Sequence, residues 1–186
     1  MMLGGTGAIG AALLAIAPVS AAPQPAPSAS SLQSQLAGEW EGALGYRDYQ
    51  SNELFELPVK TVIEAVPDGA TQVRRSVYDE GARKAPVWIV SLLQWTKDGK
   101  LATAVMRAGR EPELLSEAAE VTSYSSPANW VVTYRRTGTD DDKPADIKVT
   151  ETRTGDHLLS VKEVRPVGSP SAPWQFRNQV RLKKVR

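Results

Sequence analysis

From Gly38 to Val185 the chain reads in a period of two, broken by turn residues, and no stretch sustains the 3.6-residue period of a long helix. That pattern excludes helical bundles and alternating βαβ units and leaves an antiparallel all-β domain. In the first segment Trp40, Gly42, Leu44 and Tyr46 share a face opposite Glu39, Glu41 and Arg47. After a turn near Gln50-Ser51-Asn52, Leu57, Val59, Thr61, Ile63 and Ala65 share another. Pro67-Asp68-Gly69 then turns the chain into Thr71 to Asp79, where Val73, Arg75 and Val77 alternate with Gln72, Arg74 and Ser76. The apolar set is taken as the inward one.

The segment Pro86 to Trp95 is apolar on both faces, with Val87, Ile89 and Leu93 against Trp88, Val90 and Leu92. Such a strand is covered on both sides, by the core within and by something else without. Lys97-Asp98-Gly99-Lys100 is the sharpest hairpin signal in the chain and returns it through Leu101 to Arg107. Glu111 to Glu120 is open to two readings: two turns of helix after Pro112, or a loop into a strand at Val121 to Tyr124. Trp130, Val132 and Tyr134 share the next face, and Gly138 to Pro144 reads as an acidic loop. Ile147 to Arg153 and Leu158 to Arg165 pair across Thr154-Gly155-Asp156. In the last strand Trp174, Phe176, Asn178, Val180 and Leu182 oppose Arg177, Arg181 and Lys183. The expectation is an up-and-down antiparallel β-barrel of about eight to ten strands over residues 36–186.

Residues 1–21 have the form of a secretory signal: an apolar run from Ala8 to Ala17, too short to span a bilayer, then Val19-Ser20-Ala21. The expected location is therefore periplasmic or extracellular, with no membrane span after cleavage. Residues 22–35 read as a Pro/Ala/Ser-rich tether running into a short helix, capped by Ser30 or Ser31 and continuing through Leu36. Lys plus Arg is 22 against 21 for Asp plus Glu, a net charge of +1, which argues against binding nucleic acid through phosphate neutralisation. The chain has no cysteine, so disulfides, thiolate metal sites and a cysteine nucleophile are excluded.

The tripeptide Gly38-Glu39-Trp40 at the head of the first strand, the strand number and the meander-like turns resemble the calycin superfamily. Its barrels include lipocalins, fatty-acid-binding proteins, avidins and nitrobindins. The resemblance implies that Trp40 plugs one end, with Gly38 letting the chain pass beneath it. It also implies that a cation of the last strand packs over that indole; Arg177 and Arg181 are the residues that would match. The pattern departs from the family in having no Thr-Asp-Tyr, no helix after the last strand and a short first connection.

Candidate chemistry is sparse. His157, the sole histidine, reads as an exposed turn residue rather than a haem ligand. Asp140-Asp141-Asp142 reads as solvated surface rather than a calcium loop, and Glu39 and Glu41 fall on the outer face. No catalytic residue, metal or cofactor is assigned, and the chain is read as a binding protein rather than an enzyme. More weight falls on polar residues expected inside: Thr61, Arg75, Ser91, Thr103 and Asn178. An inward Arg75 would hold a ligand's carboxylate or phosphate, or pair with an internal acid such as Glu151; a one-residue shift of register would turn it outward. With Trp130 and Tyr134, the residues Arg75, Ser91, Thr103 and Asn178 form the expected site for a small apolar or amphipathic ligand. The alternative is a filled barrel that works as an envelope interaction or inhibitor module, with the face around Trp88, Val90 and Leu92 as partner or homodimer contact.

Overall fold

The computed structural model describes residues 27–47, 51, 53–82 and 84–186. The signal, most of the tether and most of the first expected turn lie outside these residues. A short helix, α1 (Ala29–Ser34), precedes ten strands: β1 (Gly38–Arg47), β2 (Leu54–Ala65), β3 (Thr71–Tyr78), β4 (Val87–Trp95), β5 (Lys100–Arg107), β6 (Glu113–Ser126), β7 (Asn129–Asp140), β8 (Lys143–Thr154), β9 (His157–Pro166) and β10 (Gln175–Lys184). Each strand pairs antiparallel with its chain neighbours, and β1 pairs with β10, so the sheet closes on itself. The closed barrel resembles the calycin-type fold, and closure leaves none of the ten strands with a free edge. Among the described residues no helix is long and apolar enough to cross a membrane.

The seam is held by residues the sequence set against each other. Glu41 lies opposite Lys183 in the β1–β10 register, and Arg186 reaches Glu39 at 3.5 Å. Gly42 is required there, because a Cβ on it would stand 1.8 Å from the Arg181 carbonyl oxygen. The two strands press together where a side chain would hold them apart.

One end of the barrel is closed by α1. Ser28 caps the helix, its hydroxyl accepting from the Ser31 amide at 3.3 Å, so the cap lies ahead of the expected Ser30 or Ser31 and the helix stops at Ser34. Leu32 and the following Leu36 are fully buried against Trp40, Ile63, Trp130 and Leu158. Trp40 donates from Nε1 to the Leu36 carbonyl at 2.8 Å, which fixes the plug to the first strand. Lys184 lies 5.7 Å above the Trp40 ring and donates to the Ala37 carbonyl. The cation over the tryptophan is thus Lys184 and neither arginine: Arg181 pairs outward with Glu56, and Arg177 binds Asp140 at the opposite end. Register decides this, since Trp40 stands directly across from Lys184.

Three further expectations change. The ambiguous segment is neither helix nor loop: β6 is a 14-residue strand paired on both sides, so adjacent Leu114 and Leu115 fall on opposite faces. The expected acidic loop is a tight turn, with Asp141 and Asp142 at φ 53 and 56 and strands running up to it on each side. Finally, an irregularity at Arg177 shifts the phase of β10, so Trp174 is not luminal but stacks against Lys148 and Arg165 at 4.7 and 4.5 Å.

Gly42→Ala should reduce stability by about 2 kcal/mol through overpacking of the closing seam, measured as a lower urea midpoint. A midpoint equal to the parent's would show that β1 and β10 tolerate separation.

Candidate functional site

The inner surface of the barrel is apolar on most strands, and on β3 the alternation is inverted so that its polar members face in. On β3 the inward residues are Gln72, Arg74, Ser76 and Tyr78. Arg75 points outward, its side chain 47% exposed and paired with Glu64 at 3.1 Å. The expected inward arginine is therefore displaced by one residue to Arg74. The cause is that Val73 and Val77, read as core, belong to the outer surface, while the polar set faces in.

Arg74 is fully engaged. Its Nη1 donates to Glu151 Oε1 at 3.0 Å, its Nε to Gln72 Oε1 at 2.8 Å and its Nη2 to Gln33 Oε1 at 2.5 Å. The other oxygen of Glu151 accepts from Gln33 Nε2 at 2.5 Å and from the Tyr134 hydroxyl at 3.2 Å. Gln33 Nε2 also donates to the Tyr134 oxygen at 2.6 Å, and Gln72 Nε2 donates to the Gln33 backbone carbonyl at 2.9 Å. Helix α1 is thus pinned by its one inward polar side chain to an ion pair drawn from β3 and β8. Burial opposes the Arg74 charge, but the adjacent Glu151 outweighs it and holds the pKa above the ordinary arginine value. Burial, then the neighbouring Glu151, pushes the Tyr134 phenol well above its usual value.

Beyond this network the lumen is open in two adjoining spaces of about 190 and 210 Å³. Arg74, Ser91, Glu151 and Ser160 line both. Ile63, Ile89 and Leu182 give the first an apolar wall; Leu93, Leu101 and Val149 do so for the second, together with Thr103 and Glu117. Ser91 is on β4 and Ser160 on β9, which lie five strands apart by either way round the barrel, so the two hydroxyls face each other across it. Thr61 is spoken for by Ser76 at 2.9 Å. Burial pushes the Glu117 carboxyl up against the pull of Arg136, whose Nε lies 3.3 Å away.

Of the expected ligand residues, Ser91 and Thr103 line the lumen. Tyr134 reaches it but spends its hydroxyl on Glu151. Trp130 is packed in the core, donating to the Pro127 carbonyl, and lines neither space. Asn178 stands on the inner face of β10 opposite Lys162, nearer the unplugged end. There Asp140 takes Lys162 at 2.9 Å and Arg177 at 2.7 Å, so it is an ion-pair centre rather than solvated surface. His157 is the first residue of β9 just after the turn, its side chain 63% exposed beside Asp156. Among the described residues no cluster of three or more His, Cys, Asp or Glu could hold a metal ion.

The sequence reading missed Gln33, Arg74 and Lys184. Each was visible in outline: Gln33 adjoins Leu32 on the buried side of α1, and Lys184 continues the even-numbered face of β10.

The fold is similar to that in the crystal structure of Rv2717c from M. tuberculosis, with a TM-score of 0.57 and 19% identity over 86% of this chain and 100% of that one. A protein of unknown function from the DUF3598 family of Nostoc punctiforme aligns over 86% of this chain and 100% of its own at 8% identity, with a TM-score of 0.27. The first likeness carries the fold alone, and the second carries no argument. No family model and no curated protein matches the chain.

Glu151→Gln should cost about 3 kcal/mol, because it leaves Arg74 charged and uncompensated; adding Arg74→Met should recover most of that loss in chemical denaturation. Equal stability of the single and double variants would show that the pair is not coupled. Tyr78 and Tyr134 both have folded pKa values raised above 10.0 by burial. The stability they contribute is complete below that pH and is lost as pH climbs through the raised values. Absorbance titration at alkaline pH should show two tyrosines ionising later than a free one, and Tyr134→Phe should leave one.

Proposed function

We propose that the protein is an exported binding barrel for a small amphipathic molecule of no net charge. The observation that carries this reading is the pair Ser91 and Ser160: two luminal hydroxyls, facing each other and lining both free spaces, with no hydrogen-bond partner among the described residues. A luminal hydroxyl that no protein group engages is one to which a ligand can add a bond. The size of the spaces supports a compact occupant. Each is smaller than the roughly 300 Å³ at which drug-sized sites begin, and a long lipid chain would not be accommodated without displacing side chains. Charge supports a neutral one, since Arg74 is matched by Glu151 and Arg136 by Glu117. The same matching favours binding over catalysis, because both oxygens of Glu151 are already held by three donors of the protein. Export is favoured by the apolar run from Ala8 to Ala17 and the small residues that follow it.

A second reading concerns the outside of the barrel and is compatible with the first. Trp88, Val90 and Leu92 face outward on β4, with Trp88 57% exposed, which supports a protein-contact surface there.

Native mass spectrometry of the protein taken from its own host's envelope fraction should release a small molecule on denaturation. Ser160→Leu, which projects into both spaces, should lower its occupancy by about tenfold while circular dichroism stays unchanged. A bare polypeptide mass from the parent protein would overturn the carrier reading, and a first residue other than Ala22 would overturn cleavage after Ala21.

A further inference from the structure

Two carboxylates line the lumen, and they are not alike. Both oxygens of Glu151 are taken, by Arg74 on one side and by Gln33 and Tyr134 on the other. Glu117 on β6 has a single polar partner among the described residues, Arg136, whose Nε lies 3.3 Å from its Oε1. That Nε is buried, yet its N–H is not aligned with the oxygen and has no hydrogen-bond acceptor among the described residues. Glu117 is thus charge-matched without being hydrogen-bonded.

It also ends a diagonal line of free polar groups. Thr103 stands across from Leu93, one inward step along β4 from Ser91, and Glu117 stands across from Leu101, one inward step along β5 from Thr103. Neither hydroxyl has a hydrogen-bond partner among the described residues. Diagonal neighbours on a sheet stand roughly 7–8 Å apart, which one small ligand can bridge. All three line the second space of about 210 Å³, whereas Ile63, Ile89 and Leu182 wall the first.

We propose that Glu117 selects the occupant of the lumen: a neutral molecule whose polar end is a hydrogen-bond donor, an alcohol in the simplest case, given to Glu117 in the second space with its apolar body in the first. The proposal rests on the reading of the lumen as a binding space and names the chemistry of what fills it. An ionised carboxylate only accepts, so an ether, ketone or ester offers it nothing. Ser91 and Thr103 donate as well as accept, and so serve the oxygen of a hydroxyl that points its hydrogen at Glu117. A ligand carboxylate would set a further negative charge beside Glu117, with Arg74 and Arg136 already matched. An ammonium would share the second space with Arg74.

Protonation supplies a second handle. Burial, opposed by Arg136 and reinforced by Glu151 of β8 and Glu113 of its own strand, holds the Glu117 carboxyl above its ordinary value. Tyr134 faces it from β7, and its β5 neighbours Leu101 and Thr103 carry no charge. Above the raised value the carboxylate is a charged acceptor; below it the charge that strengthens the bond is gone.

The test uses two isomers, para-methylbenzyl alcohol and para-methylanisole, which differ in whether the oxygen carries a hydrogen. NMR titration of the parent protein at neutral pH should give the alcohol an affinity at least about tenfold above that of the ether. The ratio should shrink as pH falls through the raised Glu117 value. In Glu117→Gln it should drop to about threefold or less, because an amide donates to the ether as readily as it accepts from the alcohol. Equal affinities in the parent, or an alcohol preference indifferent to both pH and Glu117→Gln, overturn the proposal. Where Glu117→Gln does not fold, the pH course of the parent decides alone. Equal affinities that Ser160→Leu lowers together reject donor selection and keep the lumen as the binding space. Binding of neither isomer also rejects the selection, and the co-purified occupant then decides the carrier reading separately.

Discussion

A carboxylate placed inside a barrel has to be answered, and most of the closed end follows from how Glu151 is answered here. Its two oxygens take Arg74, Gln33 and Tyr134, and the guanidinium it anchors takes Gln72 and Gln33 in turn. Because one of those residues belongs to α1, the helix is bound by a polar requirement as well as by the burial of Leu32 and Leu36. Removing any single member strands a partner in low dielectric, where an unpaired group is most costly. The network therefore fixes the position of the plug, and with it the floor of the luminal spaces.

The same network explains why the lumen is small and mixed rather than large and greasy. The two buried tryptophans, Trp40 and Trp130, are spent at the closed end, where they pack around the plug. Further along the barrel the inner positions pass to Ser91, Thr103, Glu117 and Ser160, with aliphatic residues between them. An interior of that kind selects by hydrogen bonding in a confined space.

Much of this architecture was legible in the chain, and what was not has a single physical source. Strand after strand was delimited by turn residues, two of the turns Asp-Gly, and by period-two alternation, and Trp40 was marked by its Gly-x-Trp setting. Alternation, however, says which residues share a face without saying which face is inside. On β3 the apolar partners Val73 and Val77 are outside and the polar ones inside, so an arginine was assigned to the lumen one residue late. On β10 the irregularity at Arg177 reverses the phase and sends Trp174 outward, while the register that sets Trp40 across from Lys184 gives the tryptophan-capping role to that lysine. In β6, Leu114 and Leu115 looked like a helical pair because no sequence rule states that the outer wall there is apolar. The one strand recognised as apolar on both faces, β4, leaves Trp88 and Leu92 exposed on its outer surface.

The pairing of β1 with β10 has a consequence in time. Trp40 and Lys184 are neighbours in the sheet, yet nearly the whole domain separates them along the chain. A ribosome delivers β1 first and its partner last, so the growing polypeptide is an open sheet with a raw edge on each side until β10 emerges. Neither the carbonyl of Leu36 nor the indole beneath Lys184 gains its full shelter before that moment. Maturation is thus tied to completion of synthesis, and the nascent form is the one most in need of protection from its neighbours.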